Sequence, residues 1–245
     1  MRPNEVQYRV AARADGNPAR LFAENAPAQA RDAGADSPAD LLPLGDLRFR
    51  ALMADQDWGK LPLPIRRRFS KRLAGGETAI YVGEILETRL SRAGWLLVQL
   101  LRLIGAPLPT ARDSHVPSVV TVTEEMKTGG QIWTRLYARR RSFPQVIHSS
   151  KRFAGRTGLE EYVGYGVGMA LAIEVRDGAL VFRSDGYFLE ILEHRFFLPT
   201  WATPGALSVT HAEIGDGRFL FTLEIVHPRF GLLVRQSAAF RECRS

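Results

Sequence analysis

From Tyr81 to Phe240 the apolar residues fall mainly on alternate positions, the period of a strand with one buried face. "IYVGEILETRL" opens the series, and "VPSVVTVTEEM", "QIWTRLYARRR" and "FPQVIHSSKRF" follow it. "EYVGYGVGMALAI" reads as one long strand. Its Gly164, Gly166 and Gly168 lie on one face, and Val163, Tyr165, Val167 and Met169 lie on the other. "ALVFR", "YFLEILEHRFFL", "ALSVTHAEI", "RFLFTLEIV" and "FGLLVRQSAAF" complete about nine or ten antiparallel strands connected as a meander. Asp-Gly, a strong hairpin signal, stands between alternating segments at 177–178, 185–186 and 216–217. A flat sheet this wide would leave two long edges open to other chains, so the pattern predicts a barrel or a strongly curled sheet.

Three stretches break the period of two. In "DLRFRALMADQDWGKLP", Phe49, Leu52 and Met53 recur at helical spacing behind a candidate N-cap, Asp46, and "PIRRRFSKRL" adds a further helical turn or two. Ser91 starts "RAGWLLVQLLRLIG", which Gly105 and Pro107 end. Its residues are apolar nearly all round, apart from a stripe of Gln99 and Arg102. Such a helix is expected either to pack in the core on the concave side of the sheet or to form a lid or membrane-facing element over a hydrophobic cavity. Glycine weakens a strand interior, so the bare face of Gly164, Gly166 and Gly168 is expected to make room for this helix, residues 94–104, or for a cavity. The resulting fold class is mainly β (α+β), with short N-terminal helices and one apolar helix packed on the sheet.

Composition sets the domain limits. Residues 1–44 are rich in Ala, Pro, Asp, Asn and Arg and poor in aromatic and β-branched residues. They are expected to form a disordered or loosely attached tail ahead of a single β-rich domain, 45–245. The one cysteine, Cys243, excludes an internal disulfide and any cysteine-based metal cluster. With no signal-like N-terminal segment and no apolar run long enough to span a bilayer, a reducing cytoplasm is expected.

The net charge is +7, but lysine appears only at Lys60, Lys71, Lys127 and Lys151. The dense basic runs are Arg66–Arg68 with Lys71 and Arg72, and Arg139–Arg141. No zinc finger, helix-turn-helix or RNA-binding aromatic signature accompanies them, so nucleic acid is not an expected partner.

Candidate chemistry is sparse. In "QIWTRLYARRR" one face carries Trp133, Arg135, Tyr137 and Arg139, a set able to stack on a ligand and to grip a carboxylate or phosphate. The same set also serves as an outer-face ladder between strands. Glu160 and Glu161 offer an acid or a partner for Arg135 across the sheet. Glu190 and His194, two steps apart along a strand from Leu192, offer a weak general-base pair. None of the five histidines has metal-ligand spacing, and no metal or cofactor is expected. "GYGVGMA" is not a nucleotide loop, because its glycines are spaced by two inside an alternating segment.

Taken together, "YVGEI", "GAPLP", "GGQIWTRLY", "HSSKRF", "EEYVGYGVGMALAI", "FLP" and "RFLFTLEIVHPRFGLLVRQSAAF" resemble an uncharacterised bacterial family, the domain of unknown function 4166, over residues 45–241. The matching positions include Trp133, Arg135, Lys151, Glu161, Gly164, Gly166, Pro199, Phe221, Pro228 and Gly231. Members of that family often follow an NAD(P)-type reductase domain in the same chain. The 44 residues here are too short for one, so the resemblance implies a separate reductase as a partner.

The leading functional expectation is a barrel pocket that binds a hydrophobic or amphipathic small molecule, lipid-like or polyketide-like. Trp133, Arg135, Tyr137, Tyr165, Gly164 and Gly166 are the residues expected nearest the ligand. The enzymatic alternative is a cofactor-independent cyclase, isomerase or dehydratase, with Arg135 stabilising negative charge and Glu161 or His148 moving protons. A further alternative is a docking module that uses Arg66–Arg72 and the apolar helix to meet a partner or a membrane surface.

Overall fold

A computed structural model of the protein describes residues 45–105, 107–192 and 194–243. The expected tail, 1–44, lies outside the described residues. Two short helices, α1 (Asp55–Lys60) and α2 (Leu63–Phe69), lead into the first strand, β1 (Ala79–Leu90). The third helix, α3 (Arg92–Leu101), continues as a 3₁₀ turn, Arg102–Ile104, and stops at Gly105, whose left-handed φ of 93° suits glycine. The remaining strands are β2 (Val116–Glu125), β3 (Gly130–Tyr137), β4 (Gln145–Arg152), β5 (Glu160–Gly164) and β6 (Val167–Arg176). They continue as β7 (Ala179–Ile191), β8 (His194–Phe197), β9 (Ala206–Gly215), β10 (Arg218–His227) and β11 (Gly231–Glu242).

Every pairing is antiparallel. Neighbours run from β1 to β7 in chain order, then through β9, β10 and β11, and β11 pairs with β1. The sheet therefore closes into a ten-stranded barrel, which removes the open edges a meander of this width would have. β8 stands outside the ring, pairing only with the far end of β7.

Strand alternation then decides the interior. Tyr81, Val120, Trp133, Met169, Phe182, Val209, Phe219, Phe221 and Phe240 are all buried at inward positions. At one end, α1 and α2 plug the barrel with Trp58, Ile65 and Phe69, and Phe69 sits edge-on to His211 at 5.2 Å. Arg68 of α2 lies 3.8 Å over the Phe219 ring. This plugged end also carries the β2–β3, β4–β5, β6–β7 and β9–β10 turns. The opposite end carries α3 and the β3–β4, β5–β6, β7–β8, β8–β9 and β10–β11 connections.

The glycine stretch is not one strand. Gly164 (φ 117°), Tyr165 (φ 52°) and Gly166 (φ 76°) all adopt positive φ and reverse the chain between β5 and β6. A side chain on Gly166 would run into the backbone of Glu190, and one on Gly168 into the Phe188 ring. Of the three glycines, Gly164 is the one that faces the helical segment: a Cβ there would lie 3.4 Å from the Ile104 carbonyl oxygen.

Asp185-Gly186 is likewise not a turn. β7 runs through it with a bulge opposite Met169 and Leu171, so two of the three Asp-Gly signals are hairpins. The reversal instead comes at Leu192 (φ 49°), which splits the expected strand 187–198 into β7 and β8.

Helix α3 is not a core helix. Only Gly94 and Val98 are buried in it, while Trp95, Leu96 and Leu100 are exposed. It lies across the rim, where β1 ends and β11 begins. Ser91 caps it by accepting from the Gly94 N–H at 3.0 Å, and the Ser91 N–H donates to the Leu233 carbonyl at 3.0 Å. Gly94 is needed here because any Cβ would strike the Leu233 carbonyl. Arg66–Arg72 and this helix form no single face, since α2 belongs to the plugged end and α3 to the opposite one.

Candidate functional site

β3, β4 and β5 place a charged cluster inside the barrel. In register, Gln131 faces Lys151, Trp133 faces Ser149, and Lys151 faces Glu161. The Lys151 ammonium donates to Glu161 Oε2 at 2.8 Å, and Arg135 Nη2 lies 3.6 Å from Glu161 Oε1. Arg135 Nη1 also donates to Ser149 Oγ at 3.0 Å. The side chains of Lys151, Glu161 and Arg135 are only 4%, 9% and 13% exposed, so two cations share one carboxylate out of water. One positive charge is in surplus.

Burial pushes the Glu161 carboxyl up, but Lys151 and Arg135 outweigh it and hold it down at about 2. Burial lowers Lys151, with Arg135 adding to the effect and Glu161 opposing it. The aromatic walls help to carry the charge, because the Lys151 ammonium lies 5.2 Å from the Trp133 ring and 5.4 Å from that of Phe182.

A cavity of ≈ 50 Å³ lies beside the cluster, lined by Arg135, Ser149 and Glu161 on its polar side and by Met169, Leu207 and Phe221 on its apolar side. That is room for roughly three to five waters, or for one small acidic head group. The space opens toward the rim at one end. Pro107, Leu108 and Pro109 form a strap over this mouth, at the end opposite the α1–α2 plug. Gln145 pins the strap: it donates to the Leu108 carbonyl at 2.9 Å and accepts from the Thr110 N–H at 3.0 Å. Arg139 donates to the same Gln145 oxygen at 2.9 Å.

Deeper in, a second space of ≈ 10 Å³ adjoins Arg135, Tyr137 and His211. His211 is buried among the Phe69, Phe182, Phe219 and Phe221 rings, and its Nδ1 has no hydrogen-bond partner among the described residues. Burial, then the Arg68, Lys151 and Arg135 charges, hold it well below the usual histidine range, so it is neutral.

Trp133, Arg135, Tyr137 and Glu161 therefore meet in the interior. His148 does not: it is on the outer wall, where its Nδ1 pairs with Thr134 Oγ1 at 3.0 Å, because inward positions of β4 are Ile147, Ser149 and Lys151. Tyr165 is 76% exposed at the β5–β6 turn, and Gly164 and Gly166 shape that turn and line neither space. Glu190 and His194 also separate, as the reversal at Leu192 intervenes. Glu190 accepts from Tyr162 and Arg195, while His194 bonds the Leu192 carbonyl. Lys151, Ser149 and His211 carry no site role in the reading of the sequence. Only Lys151 left a signal there, as a matching position of the family resemblance.

A closed ten-stranded antiparallel barrel with a surplus cation beside an apolar-walled cavity is the class of protein that fold and site define. The chain belongs to the family described as domain of unknown function (DUF4166), whose pattern matches residues 61–240. No curated protein and no solved structure matches it. Among the described residues no helix is long and apolar enough to cross a membrane.

Proposed function

We propose that the barrel binds an amphipathic small molecule bearing one acidic group, lipid-like or polyketide-like, with the acid on Arg135. One observation carries this reading: Arg135 is the surplus cation of a buried cluster and borders the cavity. Removing an unneutralised guanidinium from water is costly, and an incoming carboxylate offsets that cost with a charge-assisted, bidentate hydrogen bond. The cavity under the strap takes the head group alone. The apolar body lies in the mouth between Leu207, Leu223 and Met169 once the 107–110 strap swings out.

Catalysis in the same pocket has less support. A general acid or base works best with a pKa near the operating pH, and Glu161 is held at about 2. His148 is outside the barrel.

The test is titration calorimetry with decanoate and with decanol, using the native protein and Arg135→Gln. The variant keeps the balanced Lys151–Glu161 pair and so its fold. Decanoate is expected to bind the native protein and to lose roughly ten- to 150-fold in the variant, the value of a charged hydrogen bond. Decanol is expected to bind the two alike and weakly. Equal decanoate affinity in both proteins, or heat from neither, refutes the reading.

A further inference from the structure

The strapped end of the barrel has an unusual surface. Each group of connections there presents an exposed aromatic residue: Trp95 from α3, Phe143 between β3 and β4, Tyr165 between β5 and β6, Trp201 between β8 and β9, and Phe230 between β10 and β11. Phe143 is 92% exposed and Trp201 82%, and Leu103 and Leu192 beside them exceed 80%. Among the described residues, no connection at the plugged end exposes an aromatic side chain. Single exposed apolar residues are ordinary, but five aromatics from five separate connections on one end of a barrel form a patch.

Basic side chains without an ion pair among the described residues stand beside these aromatics. The plugged end has such cations as well, Arg66, Arg67, Arg72 and Lys127, but no exposed aromatic accompanies them, and its Arg48, Arg50, Lys60, Arg68, Lys71 and Arg152 each pair with a carboxylate. At the strapped end Arg92, Arg102, Arg139, Arg140, Arg141 and Arg229 pair with none among the described residues. Arg102 and Arg140 instead bond Gln99 and the Ser114 carbonyl. A ring of aromatic tips with uncompensated guanidinium groups around it complements one kind of surface: apolar just below a layer of negative charge. Aromatic rings seat at the headgroup level of a bilayer, and each arginine near an anionic leaflet adds about 1 kcal/mol at physiological salt.

We infer that the strapped end docks on an anionic phospholipid bilayer. The protein rests there peripherally, with the barrel axis steep to the surface and the Pro107–Pro109 strap facing the lipid. This follows from the rim alone and stands whether or not the cavity holds an acid.

The test is co-sedimentation with vesicles of phosphatidylcholine and phosphatidylglycerol at 7:3, against pure phosphatidylcholine. Native protein is expected to pellet with the anionic vesicles at low salt and to be released at about 0.5 M salt, where the Debye length shrinks to a few ångströms. The double variant Trp201→Ser/Phe230→Ser is expected to lose at least tenfold in partition, as is Arg140→Ser/Arg141→Ser. Met126→Ser, at the plugged end, is expected to match the native protein. All of these side chains are exposed, and unchanged melting temperatures confirm the folds. Two results overturn the inference: no pelleting with anionic vesicles, or equal loss in Met126→Ser. A vesicle-indifferent dimer that Trp201→Ser/Phe230→Ser dissociates also overturns it and makes the rim a protein interface.

Discussion

Replacing Glu161 with Gln should cost far more stability than replacing Lys151 with Met, although the two side chains form one ion pair. In the native barrel Glu161 neutralises Lys151 at 2.8 Å and faces Arg135 at 3.6 Å. Glu161→Gln leaves two cations, at most 13% exposed, with only neutral acceptors, the new amide oxygen and the Ser149 hydroxyl. Breaking a buried pair in this way costs about 3–5 kcal/mol. Lys151→Met leaves Arg135 opposite Glu161 at one charge each. It also puts a side chain of similar length against Trp133 and Phe182, so a cost of about 1 kcal/mol is expected. Urea unfolding followed by circular dichroism measures both. At a slope of about 2 kcal/mol/M, Glu161→Gln lowers the midpoint by roughly 1.5–2.5 M, and Lys151→Met by roughly 0.5 M, with m unchanged. Equal costs, or a larger cost for Lys151→Met, would refute the surplus-cation reading.

Four further outcomes are expected. His211 is neutral in the fold and faces Arg68 from α2, Arg135 from β3, Lys151 from β4 and Glu161 from β5. Its folded pKa lies below the ordinary 6.5, so below that pH the unfolded chain takes up a proton the barrel refuses. Stability then falls by about 1.4 kcal/mol per pH unit, and a urea midpoint series from pH 7 to 5 should show that slope in the native protein and a flat line in His211→Leu. Glu161 and Glu125, both held at about 2, act in a separate window, losing their contribution as pH falls from 4.5 toward 2. Gly94→Ala forces a methyl group against the Leu233 carbonyl and should cost about 1–3 kcal/mol, read as a lower melting temperature. An unchanged melt would mean α3 is not seated on β11. Gln145→Ala frees the strap from Leu108 and Thr110 and should speed decanoate association in stopped flow, whereas an unchanged rate would mean that the strap does not gate the cavity.

Much of this could be read from residue alternation. The barrel follows from the number of strands and the absence of any covering layer, and β3 announces its inward face because Trp133, Arg135 and Tyr137 are unlike Ile132, Thr134 and Leu136. On β4 the same reasoning fails. Its two faces, Val146–His148–Ser150 and Ile147–Ser149–Lys151, each hold one apolar and two polar residues, and only the pairing of Ile147 with Arg135 decides which points inward. That ambiguity makes His148 a cavity candidate and leaves Lys151 without a role in the sequence.

The two chain reversals are hidden in the sequence for a different reason. Gly164-Tyr165-Gly166 and Leu192 continue the alternating pattern, and their positive φ values are set by contacts with β7 and the rim. Asp185-Gly186 shows the converse, a turn signal spent on a bulge because β7 is held on both sides by β6 and β9. The apolar residues that encircle α3 suit a core helix as well as a lid. A barrel closed around its own side chains leaves such a helix only the rim.

The central claim, an acid held on Arg135 inside the barrel, is tested most directly by native mass spectrometry of the protein purified from its own host. The expected spectrum shows a discrete added mass, released as a small anionic compound on gentle activation and missing from Arg135→Gln prepared in the same way. The bare polypeptide mass in both preparations, or the same adduct on both, would contradict it.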